Sequence, residues 1–566
     1  MAKRDDSVAE LKTLGLVLGS ALLLAPVAIA ADSISSRAVG YICSAESGGP
    51  PPGARRELVR VPGVGTGGFP IITSKPEAQV WFDYGMALAH AFYHDDAKLA
   101  FRKAREIDPD CAMCAWGQAW ADGPTINYDV GSAEVKASAA VADRAEALAA
   151  GESPKNRALI AALKLRYVAH DAASDLAFAK AMDELSRRYA EDDEIAVMTS
   201  DAWLITTRDH RSVSGGPWVM PRAVEVLEPV LKRHPDNTAA IHFYIHATEQ
   251  NGEPAKALPY AQRLGALAPG ASHLVHMASH TFFRVGLYED AAVSNAQAIG
   301  VDGAYLRATH DSALQGQVRY HAHNLRFGLG GALASGDGPL ALRLADHAAF
   351  AFPTAIADDG GSQLVTSQAY AAYGRYAPDR ALALPDPGRA AAFAAAMRHY
   401  ARGEAFAAKG NAAGVRAEAA LISAQPGALE AAPFYSRQAS GAVLQISRLT
   451  LEGRAALLEG HPDQAVTAYR AAAAIETDKL QGPRDHDPPP WWYPERRSLA
   501  AALLAAGKPA EAANEARVAL KAWPREPLTL QVLAEAEKAA GDAAARRDLA
   551  EARRTWRGAP LPLARI

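Results

Sequence analysis

The stretch AQVWFDYGMALAHAFYHDDAKLAFRKAREIDPDC, residues 78–111, decides the fold. With Ala78 as position 1, Trp81 stands at 4, Gly85 at 8, Leu88 at 11, Ala97 at 20, Phe101 at 24, Ala104 at 27 and Pro109 at 32. Apolar and small residues recur at three- and four-residue spacing, the period of an α-helix, in two runs separated by a short break. Small residues at 8, 20 and 27 together with a large ring at 24 lock two antiparallel helices at close range, and the proline ends the pair.

The same ruler fits elsewhere. Gly286, Tyr288 and Ala291 fall at 15, 17 and 20 of a unit starting at Ser272, and Ala257 lies 34 residues before Ala291. Gly453, Gly460, Pro462, Ala465, Tyr469 and Ala472 fit a unit starting at Ile446; Gly507, Pro509, Ala512, Ala516, Ala519 and Pro524 fit one starting at Tyr493. Weaker matches run from Ala177 to Tyr189, Gly336 to Ala348 and Gly403 to Gly410. A 34-residue helix pair with this pattern is a tetratricopeptide repeat, which cannot bury its apolar face alone and must stack on its neighbours. The expected fold is therefore all-α, a TPR-type α-solenoid wound as a right-handed superhelix of helix pairs in one or two lobes. It replaces the about four separate domains that 566 residues would otherwise suggest. Residues 76–350 are expected to form an N-terminal solenoid and residues 390–560 a C-terminal set of repeats. Loops are expected around Arg208 to Pro221, Phe352 to Gln363, Tyr376 to Arg389 and Lys479 to Glu495, with any lobe boundary between Phe352 and Arg389.

Upstream of the repeats, Lys3, Arg4 and Lys12 precede an apolar run from about Leu14 that ends Ala28-Ile29-Ala30. That is the pattern of a secretory signal peptide cleaved after Ala30; Gly19, Pro26 and the small residues at the end favour cleavage over a membrane anchor. The mature protein is expected to be periplasmic or secreted, with no stable membrane span. Residues 31–75 read as a flexible Gly/Pro-rich linker, with Gly48-Gly49-Pro50-Pro51-Pro52-Gly53 and Gly63-Val64-Gly65-Thr66-Gly67-Gly68 as its clearest segments. The chain is 49% hydrophobic and 22% charged, with 59 basic against 63 acidic residues. This balance excludes a disordered tail-like protein and a bulk electrostatic grip on nucleic acid.

Eight of the 17 histidines lie between His242 and His323. His242, His246 and Glu249 stand at i, i+4 and i+7 on one predicted helix, and His273, His276 and His280 at i, i+3 and i+7 on another, so each set shares a face. His242 and His276 are 34 residues apart at position 5, and His246 and His280 are 34 apart at position 9. His273 is at position 2 and Glu249 at position 12; these positions face the concave surface of the solenoid. Packed helices lie about 8–10 Å apart, a gap across which imidazoles can converge on one zinc or copper ion. His242, His246, His276 and His280 are the expected primary ligands, with Glu249, His273 and His323 as secondary or supporting groups. His321 and His310 are further candidates. No HExxH occurs, which argues against a zinc protease. A concave groove lined with polar rings fits a peptide partner equally naturally.

Cys111 and Cys114 form a CxxC at a helix start, open to three readings: a structural disulfide, a redox pair, or two thiolate ligands to a secondary metal. A redox role lacks the usual βαβ setting, and no histidine follows the second cysteine as haem attachment would require. Cys43 is left over. His94, at position 17 of its unit, fits either core packing or ligation. Between Asp485 and Arg496, three prolines precede Trp491, Trp492 and Tyr493, so these rings sit in a loop that either folds over the groove as a lid or plugs the space between repeats.

Taken together, Asp108 to Gly117 (DPDCAMCAWG), Gly123 to Asn127 (GPTIN), His242 to His246 (HFYIH), His273 to His280 (HLVHMASH), Arg284-Val285-Gly286, His323-Asn324 and Pro489 to Pro494 (PPWWYP) resemble an uncharacterised bacterial family of tetratricopeptide-repeat proteins. The resemblance spans most of the chain after the linker and implies that the cysteine pair, His94, the two histidine helices and the Trp-Tyr loop belong to one design; it brings no activity with it. Two positions depart from the family: Arg326 stands where a histidine is usual and Thr125 where asparagine is. Two functions follow as expectations. One is a metal-dependent protein, with copper serving oxidation by dioxygen or zinc serving hydrolysis of a small-molecule substrate. The other is a scaffold that holds a peptide or protein partner without catalysis. No nucleotide cofactor is indicated, and no nucleic-acid partner is expected.

Overall fold

Extended backbone at Lys75 gives way to helix at Pro76, where the missing N–H of proline costs nothing because a first-turn donor has no partner in any case. Helix α1 (Pro76–His90) then pairs with α2 (His94–Ile107). The ring of Phe101 lies on Gly85 so closely that a Cβ there would stand 2.9 Å from it; Tyr469 covers Gly453 in the same way at 2.5 Å. These are positions 8 and 24 of their units, so the spacing read from the sequence is the spacing that packs.

The computed structural model describes residues 58–127, 129–169, 171–207, 221–310, 320–352, 360–423, 437–480 and 489–566, with Ala38 and Ile42. The expected signal peptide, Cys43 and the glycine and proline run at 48–53 lie outside the described residues. From α3 (Ala112–Ala121) the chain continues through α4 (Ser132–Leu148), α5 (Pro154–Arg166), α6 (Ala172–Arg188) and α7 (Asp193–Ile205). Next come α8 (Thr238–Gln250), α9 (Leu258–Leu267), α10 (Ser272–Arg284), α11 (Tyr288–Ala308), α12 (His321–Ser335) and α13 (Gly338–Ala351). The C-terminal half holds α14 (Gly360–Tyr376), α15 (Ala392–Ala408), α16 (Ala412–Ser423), α17 (Arg437–Leu458) and α18 (Pro462–Ile475), followed by α19 (Glu495–Ala505), α20 (Pro509–Ala522), α21 (Pro527–Ala539) and α22 (Ala545–Thr555). Each of these packs mainly on its sequence neighbours, and no strand occurs among the described residues, so the protein is an all-α solenoid of helix pairs. No helix among the described residues is long and apolar enough to cross a membrane.

Two features differ from the expectations. The glycine stretch 63–68 is packed rather than loose. Gly63 accepts from the Gly270 amide at 2.8 Å, Thr66 N–H donates to the Thr238 hydroxyl at 2.8 Å, and Gly68 N–H donates to Glu194 at 2.8 Å, while Val64 and Phe69 are buried. Absence of side chains allows this strip to lie flat against α1, α8 and the turn before α10. The apolar core also ignores the interval in which a lobe boundary is expected: one cluster runs from Ala292 to Tyr493, and α14 packs between α13 and α15.

The loop at Trp491 takes the second of its two expected forms. Trp491, Trp492 and Tyr493 are buried in that second cluster; Trp491 lies 4.4 Å from Trp492 and 5.2 Å from Tyr400, and the Arg497 guanidinium sits 4.1 Å above Tyr493. They plug the junction between α15 and α19 instead of forming a lid, because burial of three large rings outweighs any exposed position for them.

The solenoid also returns on itself. Trp523 packs on Phe283 at 5.4 Å, the Tyr288 hydroxyl donates to the Pro524 carbonyl at 3.0 Å, and the Arg557 amide donates to the Ser335 carbonyl at 2.9 Å. Gly286, with φ of 78°, is required at this crossing, since a Cβ would run into the Pro524 carbonyl oxygen.

Candidate metal centre

Asn237 caps α8 by accepting from the Ala240 amide at 3.0 Å, which fixes the start of the helix and hence the face on which His242 and His246 emerge. α10 lies against α8 and α12 against α10. This brings six imidazoles together in two groups: His242, His246 and His273, and His276, His280 and His323. Within each group the ligand atoms lie within 4.8 Å of one another. In place of the expected single set of four, the histidines form two groups of three, with His273 and His323 alongside the registered pairs. The reason is local: His273 sits one turn before His276 on α10 and points back to α8, while His276 and His280 point on to α12.

The tautomers follow from the outer hydrogen bonds. His242 Nδ1 lies 2.6 Å from the His90 carbonyl oxygen, which can only accept, so Nδ1 carries the proton. Asn295 Nδ2 donates to the Ala291 carbonyl at 2.7 Å and so turns its oxygen to His276 Nδ1, 2.7 Å away. His280 Nδ1 donates to Glu249 at 2.8 Å, and Arg284 holds the other oxygen of that carboxylate at 2.8 Å. In the neutral rings His242, His276 and His280 therefore turn bare Nε2 lone pairs inward. Yet His276 and His280 Nε2 are 3.1 Å apart, and His242 Nε2 is 3.2 Å from both His246 Nε2 and His273 Nε2. Between His276 and His280, both bare, lone pairs at that range repel unless a cation lies between them, whereas His242 Nε2 can accept an Nε2–H from His246 or His273. A zinc- or copper-type ion with bonds of about 2.0–2.1 Å in a tetrahedron sets its ligand atoms about 3.3 Å apart. Burial pushes His242 down to about 3 and His273 well below its ordinary value, so a shared proton is a poor cation for the first group at neutral pH.

Aromatic rings enclose both groups. Phe92 lies 4.4 Å from His242, 4.8 Å from His273 and 5.8 Å from His246, held there by a backbone φ of 59°, a conformation that a bulky side chain rarely adopts. Phe327 lies 4.7, 4.6 and 4.8 Å from His276, His280 and His323. Tyr320 covers His273 at 4.4 Å. The face expected to be an open concave groove is therefore largely enclosed: His242, His273, His276 and His280 are buried, and His246 and His323 are half-buried.

Other expected residues fall outside the two groups. Glu249 stands behind His280 and acts through it. Cys111 and Cys114 form a disulfide with both sulfurs buried, which removes them as thiolate ligands. His94 lies against Phe92 at 4.9 Å and lines a small crevice with Trp120, Thr125, Arg166 and Asp201. His321 forms its own buried pair, with Nδ1 2.8 Å from Asp302 and Nε2 2.9 Å from His347 Nε2. His310, at φ of 49°, ends the turn after α11 and joins neither group. Arg326 is buried on α12 and belongs to neither group. Sequence reading missed Asn295, which carried a signal: it occupies position 24 of its unit, where Phe101 and Tyr469 stand in others. The His90 carbonyl and the Phe92 turn carried none.

No family model and no curated protein matches the chain. Solved structures do align with it. The human IFIT1 dimer with m7Gppp-AAAA is 14% identical over 78% of this chain and 89% of its own, with a TM-score of 0.32. Yeast Tom70 is 14% identical over 85% and 92%, with a TM-score of 0.29. The APC/C hetero-tetramer Cut9-Hcn1 is 11% identical over 85% and 96%, with a TM-score of 0.27. At these scores the alignments carry no argument about function, and the site must be read from its own residues.

Proposed function

We propose that this chain is an exported transition-metal protein in which the two histidine triads hold copper and use it for oxidation by dioxygen. The observation that carries the reading is the set of Nε2 atoms 3.1–3.2 Å apart, in which three rings, His242, His276 and His280, have their outer nitrogens tied to a carbonyl, an amide oxygen and a carboxylate. Such outer partners fix ligand orientation and raise basicity. Imidazole serves both zinc and copper, but copper binds nitrogen sites more tightly. A donor set that is neutral throughout, enclosed by Phe92, Tyr320 and Phe327, favours the ion that can cycle through the singly charged state. The signal-peptide pattern at residues 1–30 supports delivery to an oxidising compartment, where the disulfide at Cys111 also belongs.

A scaffold without metal is the second reading, and the solenoid architecture favours it, since stacked repeats commonly bind extended partners. The enclosure of the inward face of α8 and α10 speaks against a peptide in that position. Elemental analysis decides between them. The purified chain is expected to carry stoichiometric copper that is lost in the double variant His246→Ala, His280→Ala; a chain that holds only traces of copper, zinc, iron or manganese, unaffected by the double change, sinks the metal reading. Glu249→Gln is expected to weaken metal affinity by about 10–100-fold without unfolding the chain, because it removes the charged partner of His280 while keeping its shape. Competition against a coloured chelator measures this.

A further inference from the structure

The two triads are not independent. His273 and His276 lie one helical turn apart on α10 and belong to different triads, so one rigid element holds a ligand of each. The triads meet along two edges, His273 to His276 and His246 to His280, with ring centroids 5.6 Å apart in both cases. Each triad supplies three nitrogen ligands, and the described residues place no further ligating side chain within either group. A fourth coordination position is thus open in each. Phe92 lies against the first triad and Phe327 against the second. The one carboxylate on α8, α10 and α12, Glu249, is engaged by His280 Nδ1 and Arg284.

We infer that the triads form one binuclear copper centre that takes dioxygen between its two ions. The inference rests on the copper reading above and adds to it the coupling of the ions and the identity of the bridging ligand. Ions that share a small bridging ligand stand about 3.5–4 Å apart, and the triads touch ring to ring at two places. The step balances without another reagent. Each copper(I) loses one electron to become copper(II); dioxygen gains both electrons, its O–O bond falls to a single bond, and the resulting peroxide bridges the ions with no proton moved. The six neutral imidazoles carry no charge of their own, so the peroxide's two negative charges offset the two positive charges gained by the ions and the net charge of the centre is unchanged. His246 and His323, half-buried, mark the side from which dioxygen enters.

The test uses the whole chain, reconstituted anaerobically with copper(I) and then exposed to air. Expected are two coppers per chain, uptake of one dioxygen per pair, a near-ultraviolet charge-transfer band, and no electron paramagnetic resonance signal, because the two copper(II) spins cancel. Two coppers per chain whose copper(II) signal integrates to two full spins, with no such band, overturns the coupled centre and leaves the copper reading standing. Failure to bind copper overturns both. His323→Ala, at a half-buried ligand, is expected to hold one copper with a full spin signal and to lose the band. A His323→Ala chain that keeps two silent coppers contradicts the inference. The wild-type spin count decides the matter even if this variant does not fold.

Discussion

Trp491→Ala lowers the stability of the fold by about 3–5 kcal/mol, the cost of emptying a large buried ring site. Trp491 is wholly buried between Tyr400 and Trp492, and neither of these neighbours touches the histidines. Metal content per folded chain is therefore expected to stay as in the wild type. Denaturant unfolding with parallel elemental analysis checks both halves. A stability loss under about 1 kcal/mol, or a large loss of metal without loss of stability, would return these rings to the role of a lid.

The second large effect concerns pH. Burial holds His242 at about 3 in the fold, against about 6.5 in the unfolded chain. Between those values the unfolded chain takes up a proton that the folded one refuses. The metal-free protein thus has the full His242 contribution above pH 6.5 and loses it as pH falls towards 3, by up to about 1.4 kcal/mol per pH unit. Buried carboxyls act in the opposite direction: burial raises Asp83 and Asp201 to about 6 and Glu495 to about 7, so their protonation favours the fold as pH falls. Comparison with His242→Phe removes that background. The unfolding free energy of the metal-free wild type minus that of the variant is expected to fall between pH 6.5 and 4. A difference that stays flat across this window would show that His242 does not titrate as its burial demands.

How much of this was legible in the chain depends on which residues carry the information. Gly85 with Phe101 and Gly453 with Tyr469 mark the repeat because a missing side chain and a ring must meet across two helices, and that requirement is written at fixed spacing. The registers of His242 with His276 and of His246 with His280 were readable for the same reason. The division into two triads was not, since it turns on His273 reaching back to α8 and on where α12 delivers His323. Nor did the spacing reveal the enclosure of the site. That depends on Phe92 holding a left-handed backbone and on Tyr320 and Phe327 being delivered with α12, and both are tertiary contacts between segments distant in sequence. Helix propensity and repeat phase are local; cover over a site is supplied from a distance.

The crossing of Trp523 over Phe283 has a consequence for how the molecule folds. In a linear array each repeat touches only its neighbours, so folding spreads from one to the next and an end repeat can be lost with little effect on the middle. Here Tyr288 bonds to Pro524 across 236 residues. That contact makes the chain a ring in effect, raises the sequence separation over which order must be established, and slows assembly relative to an open stack of the same helices. The segment joining α10 to α11, directly after the histidine-bearing helix, gains its full cover only when the C-terminal repeats arrive, so the packing at the end of α10 is finished only after helices more than 200 residues away have formed.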